Sequence, residues 1–522
     1  MATSTADDHS DDLAEFGYSQ TLDRSIGKFA SFAAGVSYIS ILTGTFQLFY
    51  FGFAFGGPAY WWSWPMVFLG QVMVALSFAE LAANFPVAGS IYNWAKRMGS
   101  ATVAWLGGWM MLTASIVTIS AVAVAYQVTL PQIWSGFQIY GDGSGTYDAG
   151  TNAVILGTIL VTFTTVVNAL GVKLMARINS TGVFIELIAA VLLIILLGAN
   201  IARGPDVLFE THGTGEGHDW GYFGAFLAAA LASAYVMYGF DTASSLGEET
   251  KDPRRTAPLA IMRAVIASFI LGGLILLFAI LSVSNINSPE IGLISGGLQF
   301  VILDVLGDTI GKIFLICVAI AITVCCLAVH TATIRMAFAM ARDNNLPGGE
   351  RIATIHPKTK TPIVPAVITG ALAVLILVVN IKQPQIFTVV TSIAIIMIYI
   401  AYLLVTVPML LKRLRGEWPP KDAKEKGYFT LGKLGLPINF IAVAWGLFMA
   451  TNLIWPRKDV YNATEPFHWY LQYGAILFIG VVFFGGLAYY WFVQRHKTGV
   501  LASHAFQSPS DAVPDAKPEP AS

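Results

Sequence analysis

The sequence predicts an all-α integral membrane protein with twelve transmembrane helices. Of its 522 residues, 56% are hydrophobic and only 12% are charged, whereas about 25% of the residues in a typical soluble domain are charged. The apolar residues form long continuous runs, and a helix needs about 20 such residues to cross the bilayer. Membrane β-strands are about half as long and alternate in polarity, so the runs favour helices.

Twelve runs are long enough, and we number them segments 1 to 12 in chain order. They comprise residues 29–55, 60–85, 102–130, 152–172, 178–201, 222–245, 262–284, 309–335, 363–380, 386–411, 436–455 and 468–493. Because the number of crossings is even, both ends of the chain are expected on the same side of the membrane.

The lysine and arginine residues indicate which side this is. With the N-terminus in the cytoplasm, 24 of the 30 fall on the cytoplasmic side, and four (Arg203, Lys382, Arg457 and Lys458) fall outside. Cytoplasmic loops of membrane proteins carry an excess of positive charge. We therefore expect a multi-pass protein of the plasma (inner) membrane, embedded in lipid, with both termini cytoplasmic.

The chain ends and the remaining composition narrow the function classes. Residues 1–28 are polar and acidic without the basic start of a cleaved signal, so we interpret them as a cytoplasmic tail. Residues 498–522, rich in proline, alanine and serine, are expected to form a disordered cytoplasmic tail. The net charge of −1 argues against a nucleic-acid partner. The three cysteines share one apolar run without a metal-binding spacing, and we expect no metal, no cofactor and no enzymatic activity.

Two segments carry residues that disfavour a continuous helix. Segment 1 contains the run Ser40, Ile41, Leu42, Thr43, Gly44 and Thr45, and segment 6 contains Tyr238, Gly239, Phe240, Asp241 and Thr242. Glycine and β-branched residues are poor helix formers, so we expect each helix to break here. The two segments cross in opposite directions and begin successive sets of five. Glycine-interrupted spans at matching positions of two inverted halves indicate a transporter binding site.

The predicted breaks suggest the kind of substrate. An unwound turn frees backbone N–H and C=O groups, which lipid cannot satisfy but a polar substrate can. Half-helix N-termini favour a carboxylate, and the opposite ends favour an ammonium group or a cation. An amino acid has both groups, so we predict that these eleven residues bind an amino acid or a related amine. Asp241 would either pair with the substrate's ammonium group or brace the freed backbone.

Three short motifs follow segments 2, 6 and 8. They contain, in order, Glu80, Pro86, Gly89 and Tyr92; Glu248, Glu249, Pro253, Arg255 and Pro258; and Arg342, Asp343 and Pro347. Together with the twelve segments, these motifs resemble the signature of the amino acid, polyamine and organocation (APC) transporter superfamily. The Gly-Phe-Asp of segment 6 is most similar to the amino acid/choline transporter branch.

The resemblance implies a LeuT-like fold with alternating access around a central site. Residues 29–201 and 222–411 would form two inverted repeats of five helices, and residues 436–493 would add helices 11 and 12. The sequence departs from the family pattern in one respect. Many amino acid permeases of the superfamily have two glycines in segment 1 where the substrate carboxylate binds, whereas this chain has only Gly44.

Charged residues inside or beside the segments suggest two further roles. Glu186 lies eight residues into segment 5, about 12 Å along the helix axis. Because burial disfavours a charged carboxyl, Glu186 is a candidate for binding the coupling proton. Glu248 and Glu249 lie at the cytoplasmic end of segment 6, where Arg24 and Arg335 are available to them. We interpret these four residues as an inner gate of ion pairs, with a static ion-pair network as the alternative.

We therefore predict a secondary active transporter that imports an amino acid or a related amine by symport, with the proton favoured over sodium as coupling ion. Uptake of choline, a polyamine or another organic cation is the nearest alternative, with Asp241 as the counter-ion. A membrane sensor that binds a ligand without moving it is an alternative of another class. The sequence contains no nucleotide-binding GxxxxGK[ST] motif, which argues against direct drive by ATP.

Overall fold

The computed structural model describes residues 13–379, 381, 386–462 and 467–506. Residues 1–12 and 507–522 of the predicted tails, residue 380 of segment 9 and the predicted external cation Lys382 lie outside the described residues. Within the described part the protein is all-helical, and strand-like pairing is limited to two isolated bridges, Tyr18 with Ala505 and Ile26 with Thr250.

The helices follow the order of the predicted segments. The α-helices are Lys28–Ile39, Ile41–Gly56, Ser63–Asn84, Ser90–Met98, Ala101–Ile133, Asp148–Leu170, Val172–Ala199, Tyr222–Val236, Thr242–Ser245, Pro253–Ser282, Gly297–Arg342, Gly349–Ile352, Ile363–Val379, Ile386–Leu414, Gly435–Ile454, Lys458–Tyr461, Trp469–Gln472, Gly474–Gly480 and Gly486–Tyr489. Short 3₁₀ turns are Pro58–Trp62, Ser135–Phe137, Pro205–Phe209, Gly247–Glu249, Pro289–Gly292 and Gly432–Leu434. Two π-turns, Val481–Gly485 and Tyr490–Gln494, continue the last span.

All twelve predicted segments correspond to apolar helices. Ten spans within the described residues are long and apolar enough to cross a membrane. The other two segments, 6 and 9, contain the shorter apolar helices Tyr222–Val236 and Ile363–Val379. Segment 6 is short because its helix ends at Val236 and a break follows. The helix Gly297–Arg342 is kinked at Gly307, where φ is 73° and ψ is 169°. Segment 8 follows this kink and is longer than predicted, since it continues to Arg342.

The packing places the two broken segments inside the bundle. Segment 1 packs against segments 5, 6, 7 and 8, while segment 10 packs against segments 3 and 11. Segments 4, 5, 9, 11 and 12 carry many exposed apolar side chains, including Phe184, Leu375, Phe440 and Phe484. Apolar side chains on the outside of a bundle of spanning helices are suited to contact with lipid.

The two described ends of the chain meet on one side of the bundle. The backbone N–H of Ser19 donates to His504 O, and that of Phe506 donates to Gly17 O. The expectation of a disordered tail beginning at residue 498 is therefore wrong for residues 498–506. The reason is that residues 498–506, TGVLASHAF, lack the prolines and acids of the stretch that follows and find backbone partners on the N-terminal segment. We call the side on which the ends meet the basic side, because it carries the predicted cytoplasmic lysines and arginines.

Candidate functional site

The breaks in segments 1 and 6 face each other at the centre of the bundle. The rings of Tyr38 and Tyr238 meet edge to face, with centroids 6.0 Å apart. Gly44 lies directly against segment 6, where an added Cβ would come within 2.7 Å of Val236 Cγ2. The structure thus brings together the two stretches that the sequence predicted to form one site.

The break in segment 1 occurs at Ser40. Its backbone angles, φ 37° and ψ 94°, separate the helix Lys28–Ile39 from the helix Ile41–Gly56. A helix N-terminus has backbone N–H groups without helical partners. Here Ser40 Oγ caps the second half-helix, accepting from Thr43 N at 3.4 Å. The glycine of this stretch, Gly44, is helical, so it provides close packing and does not itself form the break.

Glu186 binds the start of this second half-helix. Its Oε1 accepts from Leu42 N at 3.1 Å and from Ser40 Oγ at 3.0 Å. The side chain is fully buried, and its Oε2 has no hydrogen-bond partner among the described residues. A carboxylate is favoured at a helix N-terminus because the unpaired N–H groups there carry partial positive charge. Glu186 therefore occupies the position where a substrate carboxylate was predicted to bind.

The break in segment 6 runs from Met237 to Asp241, between the helices Tyr222–Val236 and Thr242–Ser245. Gly239 adopts a φ of 81°, in the left-handed region that favours glycine. Its N–H, which has no helical partner, donates to Tyr402 Oη at 2.9 Å, and the Tyr402 hydroxyl in turn donates to Asp241 Oδ1 at 2.6 Å. Tyr402 of segment 10 therefore bridges the unwound backbone and the buried acid.

The second oxygen of Asp241 is also bound. Ser90 Oγ lies 2.9 Å from Asp241 Oδ2 and 2.8 Å from Ser245 Oγ. Both oxygens of the carboxyl thus interact with protein hydroxyls. This geometry supports the brace role for Asp241 more than the role of counter-ion.

All eleven predicted binding residues are buried. Next to the breaks is a cavity of about 10 Å³, roughly the space of one water molecule. Its lining includes Gly44, Thr45, Ser233, Val236 and the aromatic ring of Trp64. The predicted substrate, an amino acid or a related amine, is much larger than one water, so this conformation has no room for it here.

Two buried ion pairs close the bundle on the basic side. Arg335 pairs with Glu249 at 2.7 Å, and Arg342 pairs with Glu248 at 3.0 Å. Both pairs have two hydrogen bonds, and the four side chains are 0–1% exposed. The structure therefore adds Arg342 to the residues predicted for the gate, and the gate itself stays a prediction. Arg24 donates to Gln20, and the arginine bound to Glu248 is Arg342.

The terminal segments cover this gate. The guanidinium of Arg342 stacks 3.7 Å from the ring centroid of Tyr18, whose hydroxyl donates to Asp343 at 3.0 Å. Burial and the charge of Asp343 raise the pKa of Tyr18, so its phenol stays protonated and can donate. From the other end of the chain, Leu501 N donates to Arg342 O at 2.9 Å. We call residues 16–26 and 498–506 together the terminal clasp.

His504 anchors the C-terminal part of the clasp. Its Nε2 lies 3.1 Å from Ala353 O, and its ring meets Phe338 edge to face. Burial, together with the nearby charge of Arg342, lowers the pKa of His504 and favours its neutral ring. The clasp is therefore held by backbone pairing and by side-chain packing.

Sequence reasoning missed Tyr402 and Ser90 in the site and Arg342 in the gate. Arg335 and Arg342 are seven residues apart, which is two turns, so they lie on one face of their helix. Two arginines on one face could have been matched to the acidic pair Glu248 and Glu249, and this would have predicted both ion pairs. Tyr402 gave no comparable signal, because a tyrosine in an apolar span is usually a packing residue. Only the fold shows that its hydroxyl reaches segment 6.

Two broken helices that face each other inside a bundle of apolar spans define a multi-pass membrane transporter. A family model described as "Amino acid permease" matches residues 26–484. The chain therefore belongs to the amino acid permease family, as the motifs of segments 2, 6 and 8 predicted. The more specific similarity to an amino acid/choline branch stays a prediction.

Similar proteins of known name cover most of the chain. It is 26% identical over 504 residues to "Amino-acid permease BAT1" of Arabidopsis thaliana, covering 93% of this chain and 94% of that protein. It is 28% identical over 371 residues to "Branched-chain amino acid permease BcaP" of Bacillus subtilis, covering 68% and 75%. It is also 28% identical over 336 residues to the "Methylthioribose transporter" of the same organism, covering 61% and 66%.

Replacing Gly239 with alanine should destabilise the protein. The position has a φ of 81°, and an added Cβ would lie 1.8 Å from Tyr38 Cδ1. We expect Gly239→Ala to cost about 2 kcal/mol or more of stability. The measurement is the thermal midpoint of the purified protein in detergent. The matched control is Gly485→Ala, whose Cβ would meet nothing within 4 Å; equal midpoints for the two variants would contradict the geometry.

Proposed function

We propose that this protein is a secondary active transporter that imports an amino acid or a related amine across the plasma membrane by alternating access. The observation that best supports this proposal is that two helix breaks face each other inside the bundle. At each break a buried side chain binds a backbone N–H group that has no helical partner, Leu42 N in segment 1 and Gly239 N in segment 6. The family and the names of its relatives support an amino acid substrate. The excess of lysine and arginine on the basic side supports a cytoplasmic location for that side and for both termini.

We propose that Glu186 couples transport to protons by competing with the substrate. The ionised carboxylate of Glu186 binds Leu42 N and Ser40 Oγ at the positive end of the second half-helix. A proton on Glu186 weakens this interaction, since the neutral acid is a poorer acceptor. Leu42 N then becomes available to the carboxylate of an amino acid. One negative charge leaves this helix end and another arrives, and the proton travels with the substrate.

The surroundings of Glu186 are suited to this exchange. Within the described residues no lysine, arginine or histidine pairs with it, and the thiol of Cys325 on segment 8 is close enough to interact with its charge. The charge of Glu186 is therefore stabilised only by hydroxyl and N–H donors. A site without a fixed cation releases and accepts its proton more readily than a buried ion pair does.

Replacing Glu186 with glutamine should uncouple uptake from the proton gradient. The measurement is uptake of a pool of labelled amino acids and amines into vesicles containing the purified protein, with and without an inward proton gradient. We expect the gradient to drive accumulation by the wild type. Glu186→Gln should still exchange internal for external substrate but should no longer accumulate it.

Glu290→Gln, an exposed residue on the opposite side from the clasp, is the matched control and should behave as the wild type does. Accumulation by Glu186→Gln in response to the proton gradient would refute the coupling role. Binding of a pool member by the wild type without uptake would favour a sensor. Uptake limited to choline or polyamines would favour the organic-cation alternative.

We propose that Asp241 braces the break in segment 6 and does not bind the substrate's ammonium group directly. Both carboxyl oxygens already accept from Tyr402 and Ser90. An ammonium group would have to share these oxygens with the two hydroxyls or displace one of them. Backbone carbonyl groups at the break are then the acceptors that we propose for a substrate amine.

Asp241→Asn should therefore leave substrate affinity nearly unchanged and slow transport. A direct counter-ion would instead lose at least about tenfold in affinity, since hydrogen bonds to charged groups contribute about 1.5–3 kcal/mol. Two quantities are measured for each variant: the equilibrium dissociation constant of the substrate and the rate of its uptake. Tyr402→Phe removes the bridging hydroxyl but keeps the ring, and should slow transport in the same way. A tenfold or larger loss of affinity in Asp241→Asn alone would restore the counter-ion role.

We propose that the two buried ion pairs and the terminal clasp together close the inner side. Removing one member of a buried pair costs about 3–5 kcal/mol because the other charge stays buried and unpaired. Opening the gate to water does not carry this cost, because both members of each pair become hydrated at the same time and neither charge stays buried. The clasp keeps water out, so its release is the step that allows the pairs to separate.

Truncation of the clasp should expose the gate. In a background with Cys317, Cys325 and Cys326 replaced by alanine, Thr250→Cys provides a buried reporter beside Glu249. Deleting residues 498–522 should increase its labelling by a water-soluble maleimide several-fold. Deleting only residues 507–522, which leaves the paired residues 498–506 in place, is the matched control. Equal labelling of the two truncated proteins would show that the clasp does not close the gate.

A further inference from the structure

A groove on the outside of the bundle lies between segments 1 and 7, near their ends on the basic side. It has a volume of about 500 Å³. Its lining combines two cations with apolar side chains: Lys28, Phe29, Phe32, Arg263, Ile266 and Ala267. The helices that form it, Lys28–Ile39 and Pro253–Ser282, pack directly against each other. The groove is therefore a fixed feature of the fold.

Arg263 points toward lipid and not into the bundle. It lies in a stripe of exposed residues at helical spacing, with Leu259 before it and Ile266 and Ile270 after it. Residues spaced by three and four positions share one helix face. The exposed fractions of these three apolar side chains are 53%, 42% and 49%. A cation on such an apolar face is placed to bind an anionic group at the membrane surface.

The length of the helix Pro253–Ser282 allows Arg263 to reach the height of the lipid headgroups. At 1.5 Å per residue, Arg263 lies roughly 28 Å along the helix axis from Ser282. The hydrocarbon core is about 30 Å thick. With Ser282 at one boundary of this core, Arg263 is at the other. Lys28 is the first residue of the helix Lys28–Ile39, just before segment 1, and belongs to the same boundary.

Neither cation has a protein partner within the described residues. Some cations of the basic side, such as Lys96, Arg335 and Arg413, pair with an acid. Lys28 and Arg263 instead share the groove, and both are exposed. Two unpaired positive charges beside an apolar channel are complementary to one molecule that joins a phosphate group to a hydrocarbon chain.

We propose that this groove binds an anionic glycerophospholipid. Its phosphate would lie between Lys28 and Arg263, and one acyl chain would follow Phe29, Phe32 and Ile266. Because Lys28 begins the half-helix that ends at the break in segment 1, the lipid would hold that half-helix against segment 7. This proposal is independent of the identity of the transported substrate.

Native mass spectrometry of the purified full-length protein tests the proposal. We expect the wild type to retain phosphatidylglycerol in preference to phosphatidylcholine. The double variant Lys28→Gln with Arg263→Gln should bind phosphatidylglycerol on the order of tenfold more weakly, since each cation near the membrane surface adds to anionic lipid affinity. Added phosphatidylglycerol should raise the thermal midpoint of the wild type and not that of the double variant.

The matched control is Arg255→Gln, an exposed arginine of the same helix that does not line the groove, and it should retain the lipid as the wild type does. Equal retention of phosphatidylglycerol by the wild type and the double variant would overturn the proposal. No preference over phosphatidylcholine in the wild type would also overturn it. Displacement of the lipid by excess glycerol 3-phosphate would show a site for a free phosphate and not for a lipid.

Discussion

The backbone groups that two helix breaks leave unpaired inside the membrane are the constraint on which the rest of the site depends. Lipid offers these N–H and C=O groups no hydrogen bonds, so protein or substrate has to supply them. At segment 1 the donor Leu42 N is bound by Glu186 from segment 5. At segment 6 the donor Gly239 N is bound by Tyr402 from segment 10. Each break is thus stabilised by a helix outside its own segment.

The two breaks are stabilised by different kinds of interaction, and this difference bears on function. Glu186 is a single carboxyl with one unbound oxygen, so it can change its protonation and its partner. Asp241 is fixed by a hydroxyl on each oxygen, and Tyr402 is itself bound on both sides. We infer a division of roles in which segment 1 provides the exchangeable interaction and segment 6 provides the rigid one. Only the exchangeable interaction is suited to coupling a proton to a substrate.

The sequence predicted the features that follow from length, polarity and helix propensity. Twelve apolar segments, the breaks near Ser40 and Gly239, and an acid in segment 5 could all be read from local residue patterns. The partners could not be predicted, because they depend on which helices are neighbours. Glu186 and Leu42 are 144 residues apart in the chain, and Asp241 and Tyr402 are 161 apart. No local pattern specifies contacts over such distances.

The C-terminal segment shows a second limit of the same kind. The predicted tail 498–522 is as a whole rich in proline, alanine and serine, but its first part, residues 498–506 (TGVLASHAF), contains no proline and five apolar residues. This part is held by backbone hydrogen bonds to Gly17, Ser19 and Arg342, and Val500 and Leu501 pack against buried apolar side chains. A composition averaged over the whole tail therefore hides a short segment that has partners of its own.

The site and the gate are connected by one short stretch of chain, residues 86–90. Ser90 donates to Asp241 in the site, and Ala88 N donates to Glu248 in the gate at 3.0 Å. Gly247 packs so closely on Pro86 that an added Cβ would lie 2.7 Å from its carbonyl oxygen. This stretch therefore cannot move away from the gate without pulling on the brace of the break. Coupling between two sites requires an element that both of them bias, and residues 86–90 are in contact with both. In the transporter that we propose, a substrate that repositions the break in segment 6 would change the gate directly, through Ser90 and Ala88, without a signal passing along the length of any helix.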